Sequence, residues 1–583
     1  MKRAFLFVIF SFQLIVFAQA PGLEWVKVYG QPLDHDVPTS VDTDLEGNVY
    51  IGATLRRYDL YGKVRIAKYS ASGTLIWSKI YIPDFDYAGV TLVSMDTDSI
   101  GNICILVYVS IADAKTVTVL QKYNGSGTKL WTVVEKLNDV YVIPRAMSVD
   151  KLGYVYVAGT LGYYGSYNQN TSDYFVFKYN KTGSKSWGAI YNGTANEGDE
   201  AYDIIADAAG NCYVTGRTKQ QDSRSGAKST QNTTIKYSSG GYFQWARNYT
   251  YGSAYYGIDH NLELDGLGNP YLFVHSSAEF GPVITNVATV IKYNNAGTQI
   301  WTKSITGLVY SPLNSTTDFA GNCYLAGGVT GPGSEHYNYS TYKVSSGGVL
   351  LWNTKYNGDT TTWDLPYDIA VDAVGDVYVT GASAAGPPDG PPTSFVLEKR
   401  PKATTIKYSP SGSQLWVTKY SGHKTDPGPW AIGTRLRLHG SGSTPLVYVA
   451  GNTVNEAPDT QVHLEDLLLL KYNPAKIKSA NSTLEPIGLI SPVSDYKLSA
   501  APNPFKSSTV IRFDLPVNAQ VSLKIYDVSG REVSTLVNGT RSAGSHQALF
   551  EAGRLVSQQY FYTLTVTSAT SEFRETKPLL LSR

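Results

Sequence analysis

The sequence predicts an all-β protein: an eight-bladed β-propeller of four-stranded antiparallel blades, followed by a small C-terminal β-sandwich of Ig-like type. Three observations predict it. A Lys-Tyr-Ser/Asn-x-x-Gly-x-x-x-Trp unit recurs with constant internal spacing. An Asp-x-x-Gly-Asn-x-Tyr-x-x-Gly unit lies upstream of each copy. The joints between copies stretch, with Trp-to-Trp separations from 51 residues (Trp301 to Trp352) to 64 (Trp352 to Trp416). A fixed core with elastic joints, at a period of this size, marks repeated supersecondary units.

The first unit is a hairpin. Lys68-Tyr69-Ser70-Ala71-Ser72-Gly73-Thr74-Leu75-Ile76-Trp77 is a clear copy, and others run Tyr123–Trp131, Tyr179–Trp187, Tyr237–Trp245, Tyr293–Trp301 and Tyr408–Trp416. A seventh has Val344 in the tyrosine place and ends at Trp352. Ser/Asn-x-x-Gly is turn chemistry: a short polar side chain that bonds the local backbone, then a residue free to take positive φ. The flanks are β-branched and aromatic. Trp25, Trp77, Trp131, Trp187, Trp245, Trp301, Trp352 and Trp416 are read as wedges between neighbouring blades.

The second unit is also strand, tight turn, strand, as in Asp207-Ala-Ala-Gly210-Asn211-Cys-Tyr213-Val-Thr-Gly216. Related turns place Gly47, Gly101, Gly153, Gly268, Gly321 and Gly375, and a degenerate copy spans His439–Gly451. Each repeat thus holds four strands in meander order, A, B, C and D, the anatomy of a propeller blade. The eighth C strand ends at Leu470-Lys471-Tyr472 with Ala480 where Trp is expected, while Leu23-Glu24-Trp25-Val26-Lys27-Val28-Tyr29 near the N-terminus matches Gln414–Tyr420. The last blade is therefore expected to take its fourth strand from the N-terminal side, which hides the sheet edges at the splice.

Residues 1–20 read as a secretory signal peptide: Lys2 and Arg3, an apolar run from Ala4 to Phe17, then Ala18-Gln19-Ala20 before Pro21. No later segment is apolar enough to span a bilayer. The propeller is expected over 21–473, a linker over 474–496 and the terminal domain over 497–583. A formal net charge of +1 without a basic block disfavours nucleic acid and anionic membrane surfaces. Cys104, Cys212 and Cys323 each follow a Gly-Asn turn in different repeats, so they read as small buried hydrophobes and not as a disulfide set. The eight histidines are scattered singly. No metal, no cofactor and no catalytic motif is expected. Asp42-Thr-Asp44-Leu-Glu46-Gly47 has the start of a calcium loop, but the twelfth position is Ala53, so a simple turn is the expectation.

After the linker a different pattern appears: Val510–Leu515 and Val521–Tyr526 alternate, Asp527-Val-Ser-Gly530 turns, and Tyr560–Val566 is a further strand. Residues 497–583 closely resemble the type A C-terminal sorting domain of the type IX secretion system. The resemblance rests on Pro502-Asn503-Pro504-Phe505, on Tyr526-Asp-Val-Ser-Gly530-Arg-Glu532-Val533 and on Ala543-Gly544-Ser545-His546. It departs at Ser557-Gln-Gln559-Tyr560, where the family usually has Ser-Gly before the Tyr. It implies export by the general pathway, passage across an outer membrane with the secretion machinery as partner, and removal of the domain on arrival. The repeats resemble a bacterial β-propeller repeat family (SBBP-like), most clearly at Tyr367-Asp368-Ile-Ala-Val-Asp372-Ala-Val-Gly375-Asp376-Val-Tyr378-Val-Thr-Gly381. That family implies a fold and supplies no catalytic residues.

In a meander the A–B and C–D turns share one face, and the B–C loops and D–A connections share the other. Length variation falls on the second face: Gly47 to Tyr69 is 22 residues, Gly375 to Tyr408 is 33. Variable loops on a rigid scaffold carry recognition. Tyr163, Tyr164, Tyr167, Tyr337 and Tyr339 are the candidate ligand-contacting aromatics, and Asp203 and Asp368, in matching Tyr-Asp-Ile positions, the candidate acids near the channel. Further acids expected on this face are Asp34, Asp36, Asp84, Asp86, Glu197, Asp199, Glu200, Asp359 and Asp364. The leading expectation is a secreted or surface-attached monomer that binds an extracellular glycan or protein. The alternative is a polysaccharide-acting hydrolase or lyase that uses paired acids. Against this, recurrence of the acids argues for hydrogen bonds to the blade-joining turns. A quinone-dependent dehydrogenase also has eight blades, but the chain lacks its adjacent cysteine pair and calcium ligands.

Overall fold

The computed structural model describes residues 20–582 except 30–33, 58–59, 112–115, 137–139, 164–171, 251–255, 281–282, 331–336, 359–363, 384–400, 423–429, 441, 456–463, 478–496, 516–518, 542–543, 554 and 568–571. The chain divides into two compact units, Met1–Pro486 and Ile487–Arg583. Among the described residues the regular structure is strand, and no helix is long and apolar enough to cross a membrane.

Among the described residues the first unit contains eight four-stranded antiparallel sheets. Their A strands are Asp34–Thr43, Gly89–Thr97, Val140–Val149, Glu200–Ala206, Tyr256–Leu264, Leu308–Thr317, Asp364–Val371 and Ala431–His439, numbered below as sheets 1 to 8. Consecutive A strands touch, and the A strand of sheet 8 returns to that of sheet 1, so the sheets follow one another in a ring. Sheets 1 to 7 are uninterrupted meanders. Sheet 8 takes Ala431–His439, Leu446–Asn455 and Leu464–Ile477 from one end of the chain and Pro21–Tyr29 from the other. Trp25 lies opposite Lys471 as Trp77 lies opposite Lys68. The strand runs on to Ile477, which pairs with Pro21, so residues 474–477 belong to the sheet and not to the linker expected there. The N-terminal strand supplies the ladder that extends it.

The A–B turns form because aspartate folds the backbone onto itself. Asp44 Oδ1 accepts from the N–H groups of Glu46 (3.1 Å) and Asn48 (2.9 Å), and Gly47 closes the turn at φ 77°. The same bonds recur at Asp98, Asp150 and Asp265. This is Asx-turn geometry rather than a calcium loop.

Up to three side chains, a tyrosine, a lysine and a tryptophan, staple a sheet to the next. Between sheets 1 and 2, Tyr50 donates its hydroxyl to the carbonyl of Gly101 (2.9 Å), and Lys68 and Trp77 both donate to the carbonyl of Gly125 (3.1 Å each). The Lys68 ammonium also pairs with Asp44 at 2.9 Å, both groups buried. The indole bond recurs from Trp25, Trp131, Trp187, Trp245, Trp301 and Trp352 to the following C–D turn. The tryptophans are thus joint residues, buried at Trp25, Trp77, Trp245 and Trp416 and half-buried elsewhere. Trp416 is buried without such a bond, since sheet 8 has a splice where the others have a C–D turn. Each C–D turn glycine has two reasons to be glycine. At Gly127 φ is 80°, and an added Cβ would come within 2.8 Å of the Trp77 ring. Cys104, Cys212 and Cys323 are buried and unpaired.

The second unit has a three-stranded sheet (Lys497–Ala501, Ser508–Leu515, Gly544–Glu551) and a four-stranded one (Glu532–Arg541, Ala519–Tyr526, Gln559–Thr567, Glu572–Leu580). Alternating residues of both, including Ile511, Phe513, Val521, Leu523 and Leu564, share one core. The Pro-Asn-Pro-Phe motif is tied to the last strand. Phe505 donates to Leu580 and accepts from Ser582 (2.9 Å each), while Asn503 donates to Pro578 (3.0 Å) and accepts from Leu580 (2.9 Å). Both prolines follow cis peptide bonds. Gly530, at φ 80°, closes the turn begun by Asp527, and His546 stacks on Phe513.

Candidate functional site

The A strands do not run straight. Each carries a register shift, as between Pro38 and Ser40, Leu92 and Ser94, Pro144 and Ala146, and Ala201 and Asp203. A bulge adds one residue against the partner strand and re-aims its side chain. The added residues of the first four sheets, Thr39, Val93, Arg145 and Tyr202, line an axial chamber of about 770 Å³ to which all eight A strands contribute. That volume is in the range of small-molecule sites.

Carboxylates are the commonest charged groups on its wall, and they do mechanical work there. Asp203 accepts from its neighbour Ile204 (2.8 Å) and from Leu262 of the next sheet (2.7 Å). Asp368 repeats this with Ile369 (2.9 Å) and Leu436 (2.6 Å). Asp42 and Asp96 join their sheets to the next through the N–H groups of Thr97 (3.0 Å) and Val149 (2.9 Å). Enclosure disfavours their charge. Burial pushes Asp203 up to about 7, burial and then the charge of Asp42 push Asp96 up to about 7, and burial raises Asp368. Glu263 is pushed up to about 8, first by burial and then by Asp203. Of the arginines, Arg437 pairs with Asp42 (2.8 Å) and Arg435 donates to the carbonyls of Thr39 and Thr434 (2.8 Å each).

One sector differs. Arg145, Tyr202 and His260 occupy the same position in sheets 3, 4 and 5, five residues before the turn aspartates Asp150, Asp207 and Asp265. The Tyr202 and His260 rings stack at 4.9 Å with planes 7° apart. The Tyr202 hydroxyl donates to Glu200 (2.7 Å), whose other oxygen takes Arg217 (2.8 Å). Both ring nitrogens of His260 are buried with no hydrogen-bond partner among the described residues. Burial, then Arg217, pulls His260 down to about 4, so it is neutral. Arg145 is exposed to the chamber and makes no hydrogen bond or ion pair among the described residues, while its charge reaches Tyr202.

The other expected residues fall in several places. Asp203 and Asp368 line the chamber together. Tyr164, Tyr167 and Asp359 lie outside the described residues, and Tyr163 ends the strand Val155–Tyr163. Tyr337 is half-buried at the start of the strand Tyr337–Val344. Tyr339 is a correction. It is fully buried, packed on Tyr356 at 5.6 Å with its hydroxyl 3.5 Å from the Thr404 carbonyl of the next sheet, because it lies in a strand and not in a loop. Asp84 and Asp86 are exposed, and Glu197 pairs with Lys228. Asp199 and Asp364 are buried and hold the D–A turns, taking the N–H groups of Gly193 and Lys219 and of Gly358. Sequence reasoning passed over Arg145, Tyr202, His260 and Glu263. The signal for Arg145, Tyr202 and His260 was their fixed offset from the turn aspartates, hidden because the repeat was aligned on its glycines; Glu263 has no such signal. Among the described residues no group of three His, Cys, Asp or Glu side chains is placed to hold a metal ion.

No protein-family model matches the chain, and no curated protein does. Solved structures similar to it include the β-propeller domain of the Trilobed protease from Pyrococcus furiosus (10% identity, 70% of this chain and 99% of that one, TM-score 0.34). A protein of unknown function from Dyadobacter fermentans matches at 11% identity over 78% of this chain and 99% of its own, TM-score 0.34. PorZ, a surface component of the type IX secretion system of Porphyromonas gingivalis, matches at 8% identity over 96% and 100%, TM-score 0.20. These scores are low, and the all-β assignment rests on the sheet topology itself.

Proposed function

We propose that the chain is an exported eight-bladed β-propeller that binds an extracellular glycan or protein, with the terminal unit, an Ig-like sandwich, as its type IX sorting signal. The observation that carries the binding reading is the axial chamber, walled by all eight A strands and holding polar side chains that the ring itself leaves unused. The eight-bladed reading is supported by the cyclic order of the sheets and by the N-terminal strand completing sheet 8. Delivery is supported by the signal-peptide pattern of residues 1–20 and by the resemblance of residues 497–583, whose Pro-Asn-Pro-Phe motif fastens the last strand. In this reading the mature protein acts as a monomer, secreted or on the outer-membrane surface, and the tyrosine-bearing loops add contacts around the chamber.

Asp203 and Asp368 are each saturated by two backbone N–H groups, which suits a joint better than a general acid and base. A glycan array with the full chain, run beside a polysaccharide hydrolysis screen, tests the reading. Binding without turnover is expected. Turnover that is lost in both Asp203→Asn and Asp368→Asn would replace binding by catalysis.

A further inference from the structure

The sector formed by Arg145, Tyr202 and His260 has features that the ring's stability does not require. Each chamber acid described above is spent on a backbone N–H of the next sheet or on an arginine, except Glu263, which burial keeps largely protonated at neutral pH. Arg435 and Arg437 are spent on sheet 1. Arg145 is the charged arginine left over in this wall. A guanidinium inside an enclosed polar space, with its fork of donors free, fits one planar carboxylate. His260, two sheets on, is neutral and lines the same chamber, with both ring nitrogens buried. The Tyr202 ring stacked on His260 adds a flat surface of the kind a pyranose packs against.

Resting on the binding reading above, we propose that the chamber holds a subsite for a sugar acid, a saccharide unit bearing a single carboxylate, with Arg145 taking the carboxylate and the sugar ring lying against the stacked Tyr202–His260 wall. The volume of about 770 Å³ accommodates a mono- or disaccharide and excludes a folded peptide or a duplex. A phosphate ester fits less well. It would bring up to two negative charges to a wall with one free arginine, near Asp203 and Glu263.

The test is calorimetric titration of the full chain with glucuronate, galacturonate and glucose, repeated on Arg145→Gln, Arg145→Lys and His260→Phe. Arg145 is exposed and makes no hydrogen bond or ion pair among the described residues, so its variants should keep the parent melting temperature. The expected result is binding of at least one uronate, at least tenfold weaker binding of glucose, and at least tenfold loss in Arg145→Gln with partial recovery in Arg145→Lys. His260→Phe, which keeps a flat ring against Tyr202, should leave glucose and uronate binding close to the parent. Equal binding of glucose and uronate, or uronate binding unchanged in Arg145→Gln, overturns the sugar-acid subsite. A glycan array on the same preparation separates the two levels. Array binding without any uronate effect removes the subsite and leaves the binding reading standing, whereas silence in both removes both.

Discussion

The Trp25 indole donates to the carbonyl of Ala71 at 3.2 Å, across 46 residues, and the Lys471 ammonium donates to that same carbonyl at 2.6 Å from the other end of the chain. One carbonyl in the C–D turn of sheet 1 therefore receives both strands that close sheet 8. Asn473 and Glu24 add a bond across the splice at 2.8 Å, and Lys471 pairs with Glu24 at 2.7 Å. The ring is latched where its two chain ends meet.

Trp25→Ala should therefore be among the most damaging single changes in the first unit. Removing a buried aromatic costs roughly 3–5 kcal/mol. Trp131→Ala, at a half-buried copy of the joint, should cost less. Denaturant titration of both variants checks the order, and equal losses would show that the splice carries no special load.

Gly127→Ala and Gly226→Ala separate two demands on glycine. Both residues have positive φ, 80° and 70°. A Cβ at Gly127 meets the Trp77 ring at 2.8 Å, whereas at Gly226 the nearest atom is Gln221 Nε2 at 3.8 Å, an ordinary contact. Gly226→Ala should cost about 1–2 kcal/mol, the price of a left-handed L-residue, and Gly127→Ala clearly more. Melting temperatures of the two variants decide it.

The chamber acids set a pH dependence. Asp203 and Asp96 are pushed up to about 7 and Glu263 to about 8, above their unfolded values of 3.8 and 4.5. Between those limits the unfolded chain holds fewer protons than the native one, so stability falls as pH rises. The contribution is fully present below the unfolded values and is lost as pH rises through 7 to 8. The turn acids Asp44, Asp98 and Asp265 are lowered by their asparagine and lysine partners despite burial, so their contribution is lost as pH falls below 3.8. Thermal stability should thus peak in mildly acid buffer. Asp203→Asn should flatten the alkaline side of the curve, measured by melting from pH 4 to 9.

Tyr339→Ala and the pair Tyr164→Ala with Tyr167→Ala should behave oppositely. Tyr339 is buried at a sheet joint, so its loss should cost roughly 3–5 kcal/mol. Tyr164 and Tyr167, read from the sequence as loop residues, should together change stability by no more than about 0.5 kcal/mol and weaken glycan binding. A binding assay and a melting curve on each variant distinguish joint from rim, and unchanged binding in the loop pair would remove the loops from recognition.

Removing residues 497–583 should leave the first unit folded and stop its appearance outside the cell. Fractionation of cells that make the truncated chain checks this, and normal export would place the address elsewhere.

The sequence by itself determined the sheets. Period, turn aspartates, turn glycines and tryptophans are local signals, since an Asx turn or a positive φ is satisfied within five residues, and the orphan strand around Trp25 was legible because it repeats a local pattern. Tertiary structure alone decided what faces inward. Tyr339 looked like a loop residue until its strand began at Tyr337 and turned it into a joint. Arg145 and Tyr202 reach the chamber only because a bulge re-aims them, and a bulge is a mismatch between two strands that neither strand encodes alone. His260 and Glu263 owe their perturbed ionisation to enclosure by sheets drawn from across the first unit, a desolvation that no spacing in the sequence records.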